Sequence, residues 1–198
     1  MTKPAATRST AEQILHSARS LIVAGGYHGF SYDDIAVEVG IRKASIHHHF
    51  ATKAVLVQRV VEQYRRDAEA GIAALERQIT DPLDQLRAYV GYWETCIRDA
   101  SAPFCVCALL AVEIPVLPDE IAREVRGHFR SLAGWLTSVL ERGRSLGRIR
   151  LVGAPRSEAE SLLATVHGAM LSARAYADPK VFGTVTRPLL DRLAASAS

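Results

Sequence analysis

A chain of 198 residues has room for one medium domain, or for a small domain joined to a larger one, with a real core in either case. Its 48% hydrophobic and 23% charged residues exclude a disordered or collagen-like chain, and no apolar run approaches the ~20 residues that a bilayer span needs. The net charge of +3 is too small to argue for a polyanion partner, so that case rests on where the charges sit. The opening stretch MTKPAATRST has no apolar signal core. Cys96, Cys105 and Cys107 are an odd number without framework spacing, so reduced thiols and a cytoplasmic location are expected.

Almost every segment repeats its apolar residues at helical spacing, which predicts an all-α fold of nine helices with no strands. Thr10 is an N-cap candidate with Gln13 at the N3 position, and Ile14, Ala18, Leu21 and Ile22 follow until Gly25-Gly26 stops helix one. Ser31 and Asp34 form a capping-box pattern for a short second helix ending near Gly40, and a third runs from about Lys43 to His49. Thr52 caps a long fourth helix reaching about Ile79, and Asp81-Pro82 opens a fifth with Leu83, Leu86, Val90, Trp93 and Ile97 on one stripe. An apolar sixth helix over roughly 104–113 follows Pro103. Beyond Pro115 and Pro118 comes a long seventh, fading at Gly143 and Gly147. Pro155 opens the eighth (Leu162, Leu163, Val166, Met170) and Asp178-Pro179 the ninth (Phe182, Val185, Leu189, Leu193).

Ala36, Gly40 and Ile46 lie four and then six residues apart, which is the packing rule of a helix-turn-helix. A small Ala36 lets the two helices approach, Gly40 permits the turn, and Ile46 plugs the second helix into the core. The remaining face presents Arg42, Lys43, Ala44, Ser45, His47 and His48, with Lys53 at the start of helix four. It is small, basic and rich in hydrogen-bonding groups, as a helix entering a major groove must be. A merely solvated charge run has no need of Ala44 and Ser45.

The stretch GIRKASIHHHFATKAVLV at 40–57 resembles the signature of TetR-type (TetR/AcrR) transcriptional regulators, and the resemblance covers about residues 10–60. PFCVCALLAVE at 103–113 resembles a Gly-Cys-Leu-Leu to Ala-Glu segment of one branch of that family. The resemblance implies a helix-turn-helix DNA-binding domain at 1–52 and a helical effector-binding and dimerisation domain at 53–198. It further implies that Ser31, Tyr32 and Lys53 hold phosphate and that Lys43, Ala44, Ser45 and His48 face bases. His47 takes the slot usually filled by a phosphate-contacting Tyr, and Arg42 replaces a commoner Ser, which leaves its role between base and phosphate.

One reading helix contacts only a few base pairs, so useful specificity needs two copies on half-sites about 34–36 Å apart. The expected partners are a palindromic double-stranded DNA operator, a second copy of the chain paired through helices eight and nine, and a small-molecule effector, with no membrane. The family implies an effector cavity among helices four to seven. Its expected lining is Tyr89, Trp93, Phe104, Cys105, Cys107, Leu110, His128, Phe129, Trp135 and His167, which suits an apolar or aromatic effector that releases the repressor from DNA. Cys105, close to the start of helix six, is the thiol best placed for reactivity, and core packing is its plainer role.

No metal or cofactor is expected. Consecutive residues on a helix point about 100° apart, so His47-His48-His49 cannot converge on one ion, and Cys105-x-Cys107 fails likewise. No catalytic motif is present, and acids such as Glu113 and Glu120 show no pairing that demands general acid/base work, so an enzyme is not expected. A helical enzyme or an adaptor without DNA preference is the alternative, and a gel shift against the chain's own upstream DNA separates the three.

Overall fold

The computed structural model describes residues 9–195, so residues 1–8, most of the opening stretch discussed above, lie outside it. Among the described residues the fold is all-α, with α1 (Thr10–Gly25), α2 (Tyr32–Val39), α3 (Lys43–His49), α4 (Lys53–Gln78), α5 (Pro82–Arg98), α6 (Val106–Glu113), α7 (Asp119–Ser145), α8 (Pro155–Ala175) and α9 (Lys180–Leu193). A 3₁₀ turn (Ile114–Val116) separates α6 from α7. Extended pairing among them is limited to an isolated antiparallel bridge between Ile149 and Ala194.

Most helix starts fall where the side chains dictate. Ser31 accepts from the Asp33 and Asp34 backbone N–H groups while Asp34 accepts the Ser31 N–H in return, and at the start of α5 Asp81 accepts from the Leu83 and Asp84 N–H groups with Pro82 as the first helical residue. The first helix is a correction by one residue: Ser9, not Thr10, is the N-cap, because Glu12 at N3 accepts the Ser9 N–H at 2.7 Å. A carboxylate there is a stronger acceptor than the Gln13 amide and sits well against the helix dipole. The sixth helix is also shorter than expected. It begins at Val106, and Phe104 and Cys105 precede it as buried residues. Gly143 does not end α7; it lies inside the helix, where a Cβ would run into the Ile149 side chain.

The chain forms two compact units. The first holds α1 to α3, α4 as far as Arg65, α6, the 3₁₀ turn and α7 as far as Arg126. Its core is built from Ile14, Ala18 and Ile22 of α1, Ile35, Ile46, Leu56, Val57 and Val61, with Val106, Leu110, Ile121 and Val125. The second holds the rest of α4, α5, residues up to Cys105, the remainder of α7, α8 and α9. There Leu86, Leu132, Leu136, Leu140, Leu162, Val166 and Phe182 are buried. Leu163, Met170, Leu189 and Leu193, on the apolar stripes of the two helices expected to pair with a copy, are buried within the single chain as well, with Leu189 only 8% and Leu193 only 5% exposed. These residues are core. The large apolar side chains of α8 and α9 left exposed are Leu171 and Val185, the latter one of the helix-nine residues picked out by periodicity.

Candidate nucleic-acid interface and interior aromatic cluster

The turn between α2 and α3 is made as the spacing requires. Gly40 takes the left-handed conformation (φ 73°, ψ 34°) that a side chain disfavours, and the Gly40 and Ile41 N–H groups both donate to the Ala36 carbonyl. Ile46 is fully buried. On the other face of α3, Arg42, Lys43, Ala44, His47 and His48 are exposed and Ser45 is half-buried. Arg42 is the N-cap yet makes no side-chain cap bond, so its guanidinium stays available. Lys43 Nζ lies 2.8 Å from Asp33 Oδ2, and both partners are exposed. Such a pair is worth at most about 1 kcal/mol and yields readily to a phosphate or base edge.

Three residues assigned to phosphate are engaged inside the protein. Tyr32 is buried, and its hydroxyl donates to the Phe50 carbonyl at 2.9 Å, so its ring braces the end of α3 and its one O–H proton is engaged within the chain. Burial pushes its pKa up to about 12, with Tyr27 adding to the effect. Removing this bond in Tyr32→Phe is expected to cost about 1 kcal/mol, read as a lowered melting temperature. An unchanged melt would show that the brace contributes nothing. The Ser31 hydroxyl is likewise spent on the α2 cap, where it donates to Asp34 Oδ2 at 2.7 Å and holds that carboxyl below its usual range. Lys53 Nζ donates to the Phe30 carbonyl and sits 4.1 Å from the Phe30 ring centroid and 5.0 Å from that of Tyr27. Burial lowers its pKa, against the fields of Asp34 and Glu113. His47 rests edge-on against Tyr32, 4.8 Å between ring centroids, with Nδ1 3.3 Å from the Ala51 carbonyl oxygen.

Of the ten residues expected to line an effector cavity, Cys107 and Leu110 belong to the first unit and the other eight to the second. Within the second unit, Tyr89 of α5 meets Trp135 of α7 edge-on at 5.5 Å, and Phe129 of α7 meets His167 of α8 at 5.2 Å. Cys105 Sγ lies 3.9 Å from His128 Nε2, both side chains being buried. Trp93 is buried on α5, and Phe104 lies under the Arg174 guanidinium at 5.5 Å. Trp135 spends its indole N–H on Glu76, 3.2 Å away. Two polar atoms of this cluster, Tyr89 Oη and His167 Nε2, are buried without a hydrogen-bond partner among the described residues. Burial drives the Tyr89 pKa far above its ordinary value, with Cys105 adding to the rise and Trp93 opposing it. Burial alone lowers that of His167 to about 4.

Glu113, read above as an acid without a catalytic partner, accepts the Tyr27 backbone N–H at 2.7 Å across 86 positions. Its long separation from Tyr27 hides the pairing. Among the described residues no group of three or more His, Cys, Asp or Glu is placed to hold a metal ion, and no helix is long and apolar enough to cross a membrane.

Comparison with known proteins bears on both units. The family described as bacterial regulatory proteins, tetR family, matches residues 14–60, and the tetracyclin repressor-like C-terminal domain matches residues 82–189. A TetR-family transcriptional regulator from Agrobacterium tumefaciens superimposes with a TM-score of 0.92 at 63% identity, covering 93% of this chain and 97% of that one. The reduced form of Escherichia coli NemR shares the fold, with a TM-score of 0.82 at 19% identity over 96% of this chain and all of NemR's. The transcriptional repressor DhaR of Mycobacterium sp. strain GP1 is 24% identical over 161 residues, 81% of this chain and 80% of DhaR.

Proposed function

The chain belongs to the tetR family of bacterial regulatory proteins, and from that premise we propose that it is a cytoplasmic repressor that binds a palindromic operator as a homodimer and leaves it when a small effector binds. The observation that carries the DNA reading is the α3 face: Ile46 anchors the helix from behind, while Arg42, Lys43, Ala44 and His48 stand exposed in front. We assign residues 1–52 to DNA binding and 53–198 to effector binding and dimerisation. Lys43 reads bases and Lys53 holds backbone phosphate from the start of α4 with a second ammonium N–H, keeping its bond to Phe30.

Dimerisation is proposed through α8 and α9. On α8, Ser161, Ala164, Gly168, Leu171 and Ala175 recur at three- and four-residue spacing and are exposed, a stripe without a formal charge that lets a second helix approach closely. The effector is proposed to bind among the aromatic residues of the second unit. Tyr89 Oη and His167 Nε2 favour a neutral, mainly apolar molecule carrying one or two hydrogen-bonding atoms, since a buried polar atom left unpaired costs about 1–3 kcal/mol.

Gel shifts on the chain's own upstream DNA test the proposal. Wild type is expected to select one inverted repeat; Lys43→Ala is expected to lose on the order of 1–3 kcal/mol and relax preference at particular positions. Lys53→Ala is expected to weaken all sequences evenly and to lower the salt slope by about one per half-site. If both variants bind like wild type, the reading face is misassigned; if wild type selects no sequence, the chain is an adaptor or an enzyme.

A further inference from the structure

We infer that Glu113, the last residue of α6, is a positioning residue for the DNA-reading head, holding the α1–α2 turn in place through its carboxylate. The inference deepens the repressor reading above and rests on it. All of its parts lie within the first compact unit.

Three observations converge on the carboxylate. Gly26 closes α1 at φ 76° and ψ −170°, a conformation that only glycine adopts easily, and both Glu113 oxygens lie 2.8 Å from where a Cβ at position 26 would stand. The missing side chain is what lets the carboxylate in. Glu113 then accepts the Tyr27 N–H at 2.7 Å, a charge-assisted bond to a backbone group just past the helix end. Its negative charge also acts on Lys53, favouring the ammonium that bonds the Phe30 carbonyl and covers the Tyr27 and Phe30 rings. Phe30 precedes the Ser31 cap of α2, so Lys53 ties the first residue of α4 to the turn leading into α2 while Glu113 holds the same turn at the Tyr27 N–H. A displacement of α6 must withdraw the carboxylate, which leaves the Tyr27 N–H without its acceptor and removes one of the two anions, after Asp34, that favour the Lys53 ammonium. The reading head loses its register at that point.

The test uses the full chain as Glu113→Ala and Glu113→Gln, with three readouts. Amide hydrogen exchange at Tyr27 is expected to quicken at least tenfold in the Ala variant and less in Gln, whose amide oxygen still accepts the bond, while α5 and α9 keep wild-type protection. The Lys53 ammonium, followed by NMR titration, is expected to lose its proton at lower pH in Gln, because Asp34 is then the one anion left acting on it beside the desolvation. Operator affinity is expected to fall at least tenfold in Ala and to recover in part in Gln. Unchanged Tyr27 exchange and an unmoved Lys53 titration overturn the inference, and so does wild-type operator affinity in the Ala variant. Uniform loss of protection through α5 and α9 also overturns it, by showing a general fold defect. Should the Ala variant not fold, Gln alone decides, through Tyr27 exchange and the Lys53 titration. The first two readouts need no DNA, so a wild-type protein that selects no operator refutes the repressor reading while they still decide whether Glu113 holds the turn.

Discussion

Leu171→Glu combined with Val185→Glu is expected to turn the protein into a folded monomer whose operator affinity is at least ~100-fold below wild type, although its reading helices are untouched. Leu171 is 60% exposed on α8 and Val185 38% exposed on α9, so glutamate at either position meets water in the single chain and does not open its core. In a homodimer packed across these helices, the two carboxylates of each chain would face their copies, adding like-charge repulsion to the desolvation of four ionised groups. The operator penalty follows from linkage: one head binds its half-site weakly, and the second binds tightly only because the first holds it near at high effective concentration. Sedimentation gives the mass and circular dichroism the helicity. An unchanged dimer moves the interface off α8 and α9, while a monomer with wild-type operator affinity removes the need for two half-sites. Leu189→Glu and Leu193→Glu, the substitutions that periodicity alone recommends, would test something else, because both leucines are packed within the chain and charging them attacks its fold.

That contrast shows where the sequence is legible. Periodicity tells which residues are apolar and share a face, and so it finds the helices; it does not tell whether the neighbour is the same chain or another copy. Starts such as Ser31 with Asp34 and Asp81 with Pro82 are legible because the capping atoms sit within three residues of the groups they satisfy. The reading face is legible for a related reason: Gly40 and Ile46 fix which side of α3 is buried, and Arg42, Lys43, Ala44 and His48 follow on the other. Tyr32 and Lys53 are polar side chains beside that face, yet their partners are the carbonyls of Phe50 and Phe30, and no local pattern signals a long side chain folding back onto distant backbone. Glu113 is hidden in the same way.

Acidification from pH 7 to pH 5 is expected to remove about 2 kcal/mol of stability through His167 alone, and His167→Gln is expected to remove that part of the pH dependence. The imidazole sits between α7 and α8 against Phe129, with Nε2 buried and unpaired, and burial lowers its pKa from 6.5 to about 4. Because the folded state holds the ring neutral while the unfolded chain protonates it from about pH 6.5 downward, the unfolded state binds more protons in this window and stability falls with pH. The loss begins near pH 6.5, levels off only below about pH 4, and totals roughly 3 kcal/mol when complete. Other groups titrate in the same range, so the informative quantity is the difference between the slopes of wild type and His167→Gln, measured by denaturant unfolding at several pH values. A neutral polar effector that pairs with Nε2 should lower the pKa further when it favours the neutral ring, and steepen the slope only below the unbound value. Equal slopes in the two proteins would mean that the imidazole reaches water in the folded chain, and with that the case for His167 as a buried handle for an effector is lost.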